Sequence, residues 1–159
     1  MEAARPATVA DLPRLVELHN LALLEIGPAR GGALFAAREA RRDPAGELAA
    51  AVADPDQMVV IGEIDGWVAG YASAHLEALR DGSHLGVIDD LFVEGEAREV
   101  GVGEEMTKVV VEWCEERGCR GIDANVLPGD RATKNFFESF GFTARAITVH
   151  RRLPGAHDS

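Results

Sequence analysis

The stretch Leu91-Phe92-Val93-Glu94-Gly95-Glu96-Ala97-Arg98-Glu99-Val100-Gly101-Val102-Gly103 constrains this chain more than any other. It reads as an apolar strand, a loop punctuated by glycine, and the start of a helix. A helix N-terminus leaves amide N–H groups unpaired and carries partial positive charge, so it seats an anion such as phosphate or pyrophosphate. Arg98-x-x-Gly101-x-Gly103 adds a cation and two positions without a side chain, where an anion can come close to the backbone. A Walker loop needs Gly-Lys-Ser/Thr at the helix start, and this chain has Gly103-Glu104-Glu105. A dinucleotide fingerprint needs a third glycine where Met106 stands.

A length of 159 residues suits one domain around one core, spanning residues 1–159 and ordered over about 3–153. Apolar content of 47% and charged content of 27% belong to a globular, water-soluble chain. No segment approaches the roughly 18 apolar residues of a membrane span, so no membrane partner is expected. The N-terminus has no hydrophobic signal core, which makes the cytoplasm the expected compartment. Cys114 and Cys119 flank a predicted helix end and read as reduced thiols rather than a disulfide. No Cys/His cluster has zinc spacing, so no metal is expected. The net charge of −11 argues against nucleic acid, whose phosphates need clustered Lys and Arg. It suits cationic substrates, and it serves solubility in any case.

Ala3–Thr8 reads as a first strand, and Thr8-x-x-Asp11 as a variant capping box ahead of a helix with Pro13 in its first turn. Gly27-Pro28 ends that helix. Arg30 to Asp54 reads as one or two short helices broken by Pro44. Met58–Ile64 and Trp67–Leu76 form a hairpin about Asp65-Gly66. Leu85–Val93 follows as a mostly apolar strand, the profile of one covered on both faces. Met106, Val109, Val110, Trp113 and Cys114 share one helix face, closed by Gly118. Ile122, Ala124 and Val126 alternate as a strand. Asp130 caps a short helix whose buried face is Ala132, Phe136, Phe137 and Phe140, with Gly141-Phe142 as its stop. A last strand is expected through Ala146 to Leu153. The Leu85–Gly103 unit puts its phosphate seat at a strand's C-terminal end, where open α/β sheets bind ligands.

Taken together, this order resembles the GNAT N-acetyltransferases over about residues 3–153. The local matches are Ile88-Asp89-Asp90-Leu91-Phe92-Val93, the loop from Arg98 to Gly103, and Asp130-x-x-Thr133-x-x-Phe136-Phe137-Glu138-x-x-Gly141-Phe142. The resemblance implies an α/β (α+β) single-domain fold: a mixed central sheet flanked by helices, with a strand–Gly-loop–helix cofactor seat. It implies acetyl-coenzyme A as donor and a primary amine of a small molecule or peptide as acceptor, and it is compatible with a homodimer. Leu91 and Val93, about Phe92, would lend backbone groups to the pantetheine arm. Arg98, Glu99, Val100, Gly101, Val102, Gly103 and Glu104 would bring amides to the pyrophosphate. Asp130 takes the place of an asparagine bordering the pantetheine. Phe137 stands where the family often has a tyrosine that protonates the leaving thiolate, and a phenylalanine has no proton to give. A catalytically weak acyl-coenzyme A binding module of the same fold is therefore the alternative.

Attack on a thioester needs a neutral amine, and a base supplies it. Asp89 and Asp90 interrupt the apolar strand and are the candidate catalytic residues. Alternation is expected to put them on opposite faces, Asp89 with Val87, Leu91 and Val93. In related enzymes the first acid of this pair is often placed as base, and desolvation would raise its pKa. Either acid could instead satisfy backbone donors at a strand edge. His75, His84 and His150 lie on or beside predicted strands and could carry a proton. Tyr71, the single tyrosine, reads as a core or rim residue.

Overall fold

Residues 1–98 and 100–155 are described by a computed structural model. The elements run β1 (Glu2–Pro6), α1 (Leu12–Ile26), α2 (Gly32–Glu39), α3 (Pro44–Ala53), β2 (Gln57–Ile64), β3 (Trp67–Ala78), β4 (His84–Val93), α4 (Val102–Glu116), β5 (Gly121–Ala124) and α5 (Arg131–Ser139). Short 3-10 turns precede α1 and α4. Pro44 breaks the run after α2 as expected, and it also opens α3 behind the N-cap Asp43, whose side chain accepts from the Gly46 amide. Met1–Ala22 and Arg41–Asn125 make one compact unit; Leu23–Ala40 and the chain from Val126 onward make another.

The first unit holds a five-stranded sheet in the order β1-β2-β3-β4-β5. β1 to β4 pair antiparallel, and β5 joins β4 in parallel, so the sheet is mixed, as the resemblance implies. Asp65 (φ 48°) and Gly66 (φ 84°) both turn left-handed, the geometry that matches a tight hairpin between twisted strands. Strand alternation then sorts the core. Val59, Ile61 and Tyr71 pack with Leu15 and Leu18 of α1 and with Leu48 and Ala51 of α3. The opposite face takes α4, which buries Val102, Met106, Val110, Trp113 and Cys114. Burial pushes the Cys114 thiol up to about 12, which leaves it a packing residue and not a nucleophile.

Close approach of α4 depends on notches in the strands. A Cβ on Gly62 would lie 2.4 Å from Cγ1 of Val102, and one on Gly86 would lie 2.3 Å from Sγ of Cys114. Gly62→Ala should therefore destabilise the fold by about 1–2 kcal/mol through overpacking. Urea denaturation checks this, and an unchanged midpoint would contradict the close seat of α4.

Arg5 of β1 ties the sheet to the first helical turn. Its Nη1 lies 2.8 Å from Oδ2 of Asp11 and its Nε 2.9 Å from Oε1 of Glu63. Asp11 also accepts from the Thr8 amide at 2.8 Å, the reach-back of the predicted capping box. Arg5 foremost, then Thr8, outweigh burial and hold the Asp11 carboxyl at about 2. A carboxyl that ionises more readily folded than unfolded stabilises fully above the ordinary aspartate pKa. That contribution fades as pH falls through the folded value. Asp11→Asn should cost about 1–2 kcal/mol at neutral pH, and the deficit should shrink from about pH 4 to about pH 2. Chemical denaturation at stepped pH measures it; a deficit constant across that window would refute the linkage.

In the second unit, Asp130 caps α5 by accepting from the Thr133 amide at 3.1 Å. The stop forms as expected. Gly141 adopts φ 84°, the Phe142 amide donates to the Phe137 carbonyl at 3.1 Å, and the two rings sit 5.1 Å apart. The buried face is narrower than expected, however. Phe137 is buried and Phe136 and Phe140 are half-buried, while Ala132 is exposed. The expected last strand does not form among the described residues. Ile147, Val149 and Leu153 are 85%, 90% and 65% exposed, and the segment joins no ladder. Alternation supplies a side-chain face; a strand also needs a partner backbone, and His150-Arg151-Arg152 puts polar and charged groups on both faces.

Candidate active site

β4 is the strand that organises the site. Its ladder with β5 ends at the pair Ile88–Ala124, while its ladder with β3 continues to Val93. Among the described residues, 89–93 thus find no ladder partner on the β5 side. This is also why the strand is less covered than its apolar sequence suggests: only Gly86 and Ile88 are buried. An open strand edge offers N–H and C=O groups to any amide-bearing chain laid along it. The same strand then runs into the glycine loop.

The two aspartates are not on opposite faces. Asp90 pairs with Ser73, but Ile88 pairs with Ala74, so the register shifts and Asp89 is the extra residue of a β-bulge. Ser73 and His75 lie two apart on β3 and share a face. Each binds one aspartate: Ser73 Oγ donates to Asp90, and His75 Nδ1 sits 2.6 Å from Oδ2 of Asp89. The bulge cancels the alternation that separates adjacent residues. Asp89 accordingly shares its face with Val87, Asp90 and Phe92, not with Leu91 and Val93, which pair with Ala72 and Gly70.

The environments of the two acids differ. Asp90 is enclosed by donors. It accepts from Arg41 Nη2 at 2.6 Å and Nη1 at 3.3 Å, from the Tyr71 hydroxyl at 3.0 Å, and from Ser73. Burial opposes its ionisation, but Arg41, Ser73 and Tyr71 outweigh burial and hold Asp90 below the usual carboxylate range. Tyr71 is fully buried, and burial together with Asp90 pushes its phenol well above the ordinary tyrosine value. Its hydroxyl is committed to Asp90 as a hydrogen-bond donor. Among the described residues Asp89 has one hydrogen-bond partner, His75, and its side chain is 36% exposed. Desolvation on its strand side raises its pKa, although His75 pulls the other way. Asp89 and His75 are therefore the accessible pair, and Asp90 is a structural anion.

The loop after β4 leaves from a fastened end. Glu94 is held by Arg14 and by Trp67 Nε1 at 3.3 Å. Arg98 Nε donates to the Val93 carbonyl at 2.9 Å, and its guanidinium lies 5.8 Å from the Phe92 ring centre. Gly101 is the N-cap of α4 at φ 95°, with Val102 fully buried behind it. Thr107 Oγ1 caps the Gly103 carbonyl at 2.8 Å. Glu104 and Glu105 occupy the first turn of α4, where carboxylates complement the helix dipole. Val102 and Gly103 are the first two residues of α4, and Val100 before them is exposed. Glu99 lies outside the described residues. Asp130 and Phe137 belong to the second unit, as the cap and the buried ring of α5.

Sequence reasoning found the strand, the loop and both aspartates. It missed Arg41 and Ser73 as partners of Asp90, and it singled out His75 without its link to Asp89. The available signal was Tyr71-x-Ser73-x-His75, three polar-tipped residues at period two on the neighbouring strand.

Residues 16–142 match the acetyltransferase (GNAT) family, and the chain belongs to that family. Solved structures of the same fold include a tetramutant of the BH1408 protein from Bacillus halodurans. It is 22% identical, with 94% of this chain and 99% of that chain covered, at a TM-score of 0.79. Glucosamine-6-phosphate N-acetyltransferase from Arabidopsis thaliana is 18% identical, with 96% and 98% covered, at a TM-score of 0.70. AAC(6')-Iy, in complex with the bisubstrate analogue CoA-S-monomethyl-acetylneamine, is 18% identical, with 96% and 99% covered, at a TM-score of 0.73. At these identities the likeness is one of fold. No curated protein matches the chain.

Proposed function

We propose that the whole chain acts as one N-acetyltransferase domain that moves an acetyl group from acetyl-coenzyme A to a primary amine by direct attack on the thioester. The observation that carries this reading is the open edge of β4 over residues 89–93, running into a left-handed glycine at the N-terminus of α4. The two features fit the two halves of the donor. Leu91 and Val93 would pair their backbones with the amides of the pantetheine arm. The amides from Arg98 to Glu104 would hold the pyrophosphate, with Gly101 and Gly103 permitting close approach. The neighbour solved with an analogue joining CoA to acetylneamine supports the same donor and an amine-bearing acceptor.

Bound acetyl-coenzyme A would supply an electrophilic thioester carbonyl. The chain's part is to present the amine neutral and to exclude competing charge. Asp89, accessible and flanked by His75, lies on the proton path; Asp90 does not, because its lone pairs are occupied. With Tyr71 committed to Asp90, no tyrosine is at hand for the departing thiolate, which takes its proton from water. That same observation favours a second reading, a weak acyl-coenzyme A binding module in the cytoplasm.

Calorimetric titration with coenzyme A, followed by a thiol-release assay over spermidine, glucosamine 6-phosphate, sisomicin and a peptide with a free N-terminus, separates the readings. Binding with turnover of one amine is expected. Binding without turnover would leave the module, and absence of binding would overturn both.

A further inference from the structure

We propose that His75, held by Asp89, is the group that takes the proton from the acceptor amine, and that Asp89 is its positioning residue rather than the base itself. The proposal rests on the acetyltransferase reading.

The geometry carries it. An ionised carboxylate only accepts, so the 2.6 Å contact from Asp89 Oδ2 to His75 Nδ1 puts the hydrogen on Nδ1 and the lone pair on Nε2. The His75 side chain is 40% exposed, within reach of an arriving amine. Asp89 stands at the bulge, so its direction is set by backbone geometry rather than by the pleat. A carboxylate that fixes the tautomer and stabilises the imidazolium is the standard support for a histidine base. Among the described residues, the other charged groups on this face include Asp123 of β5, the partner of Val87. Asp90 and Arg41 neutralise one another beside Ser73, the β3 residue two positions before His75. Glu77 follows two residues along β3, and Asp54 binds Gln57, the β2 partner of His75.

The step balances without another reactant. The ammonium gives one proton to Nε2 of His75. The freed nitrogen lone pair forms the N–C bond, and the C–S bond breaks with its electron pair on sulfur. A second proton leaves the nitrogen through water to the thiolate, and the imidazolium returns the first to solvent. The products are the amide, free coenzyme A and one released proton.

Three proteins decide the matter, each assayed with the first amine of the panel to turn over, so that the amine's own titration is common to all. His75→Gln should lower kcat/KM by about 10²-fold. It should lose the rising enzyme limb of the pH profile and leave coenzyme A affinity within a few-fold. Asp89→Asn should keep that limb while lowering kcat/KM, because the ring is no longer fixed in one tautomer. The reverse pattern, a limb lost in Asp89→Asn and kept in His75→Gln, would make Asp89 the base and overturn the proposal while the acetyltransferase reading stands. Nitrogen-15 NMR of the resting protein needs no acceptor: His75 should be protonated on Nδ1 in the parent and shift toward Nε2 in Asp89→Asn. An Nε2–H tautomer in the parent would overturn the assignment. No turnover with any amine would remove the acetyltransferase reading and this proposal with it.

Discussion

Replacing Arg41 by methionine is expected to cost about 3–5 kcal/mol of folding stability at neutral pH, the scale of breaking one partner from a desolvated ion pair. The Arg41 and Asp90 side chains are only 16% and 19% exposed, and two of the four hydrogen bonds to Asp90 come from Arg41. Methionine keeps the bulk and removes the charge, so Asp90 is left with Tyr71 and Ser73 alone. Its desolvation is then no longer outweighed. The pH signature follows from the sign. In the parent, the Asp90 carboxyl sits below the usual range and stabilises the fold at neutral pH. In the variant it rises above its unfolded value, so the penalty is largest at neutral pH and eases as acid protonates the buried group. Adding Asp90→Asn to the variant should recover most of the loss, because a neutral pair needs no counter-charge. Urea denaturation of the single and double variants at neutral and mildly acidic pH makes the measurement. A loss below about 1 kcal/mol would place the pair among ordinary surface bridges.

Gly101→Val is expected to weaken coenzyme A binding by about 10- to 100-fold, or about 1.4–2.8 kcal/mol. Gly101 holds φ 95° at the N-cap of α4, a conformation that β-branched residues avoid. A Cβ there would also come within 3.2 Å of Glu104 Oε2 and of Glu2 Cγ. The loop must rebuild, and with it the amides proposed to hold the pyrophosphate. Strain alone would lower stability anywhere, so the matched control is Gly82→Val. Gly82 has φ 88° in the turn before β4, at the other end of the strand from the loop. Gly82→Val should lose melting temperature and keep affinity. Equal affinities in both variants, read by calorimetry, would remove the loop from the binding site.

The parts of the fold that were legible in the sequence are those whose causes are local. Asp65-Gly66 requires a tight turn, Gly141 requires a left-handed stop, and the Met106-to-Cys114 spacing requires a one-sided helix; each is decided within a few residues. The final segment was misread because an alternating pattern describes faces and says nothing of a partner strand. The aspartates were found by chemistry, as charges in an apolar strand, yet their orientation was misassigned. A bulge arises from pairing between β3 and β4, and no residue type in Ile88-Asp89-Asp90 demands one. Arg41 lies 49 positions from Asp90 in the chain, beyond the reach of any spacing argument.

The bulge has a further consequence. It works as a phase shifter between two halves of one strand. His84 to Ile88 answer to β5 and the packed helix, and Asp90 to Val93 answer to the open edge and the loop; the extra residue at 89 uncouples their parity. Deleting a single residue between Val87 and Asp90 would not shorten the strand so much as rotate one half against the other. Either the core residues would turn outward or Asp90 would turn away from Ser73. Sequence can therefore change on one half of β4 while the other half keeps its facing, with both halves reading out from the same ribbon of backbone.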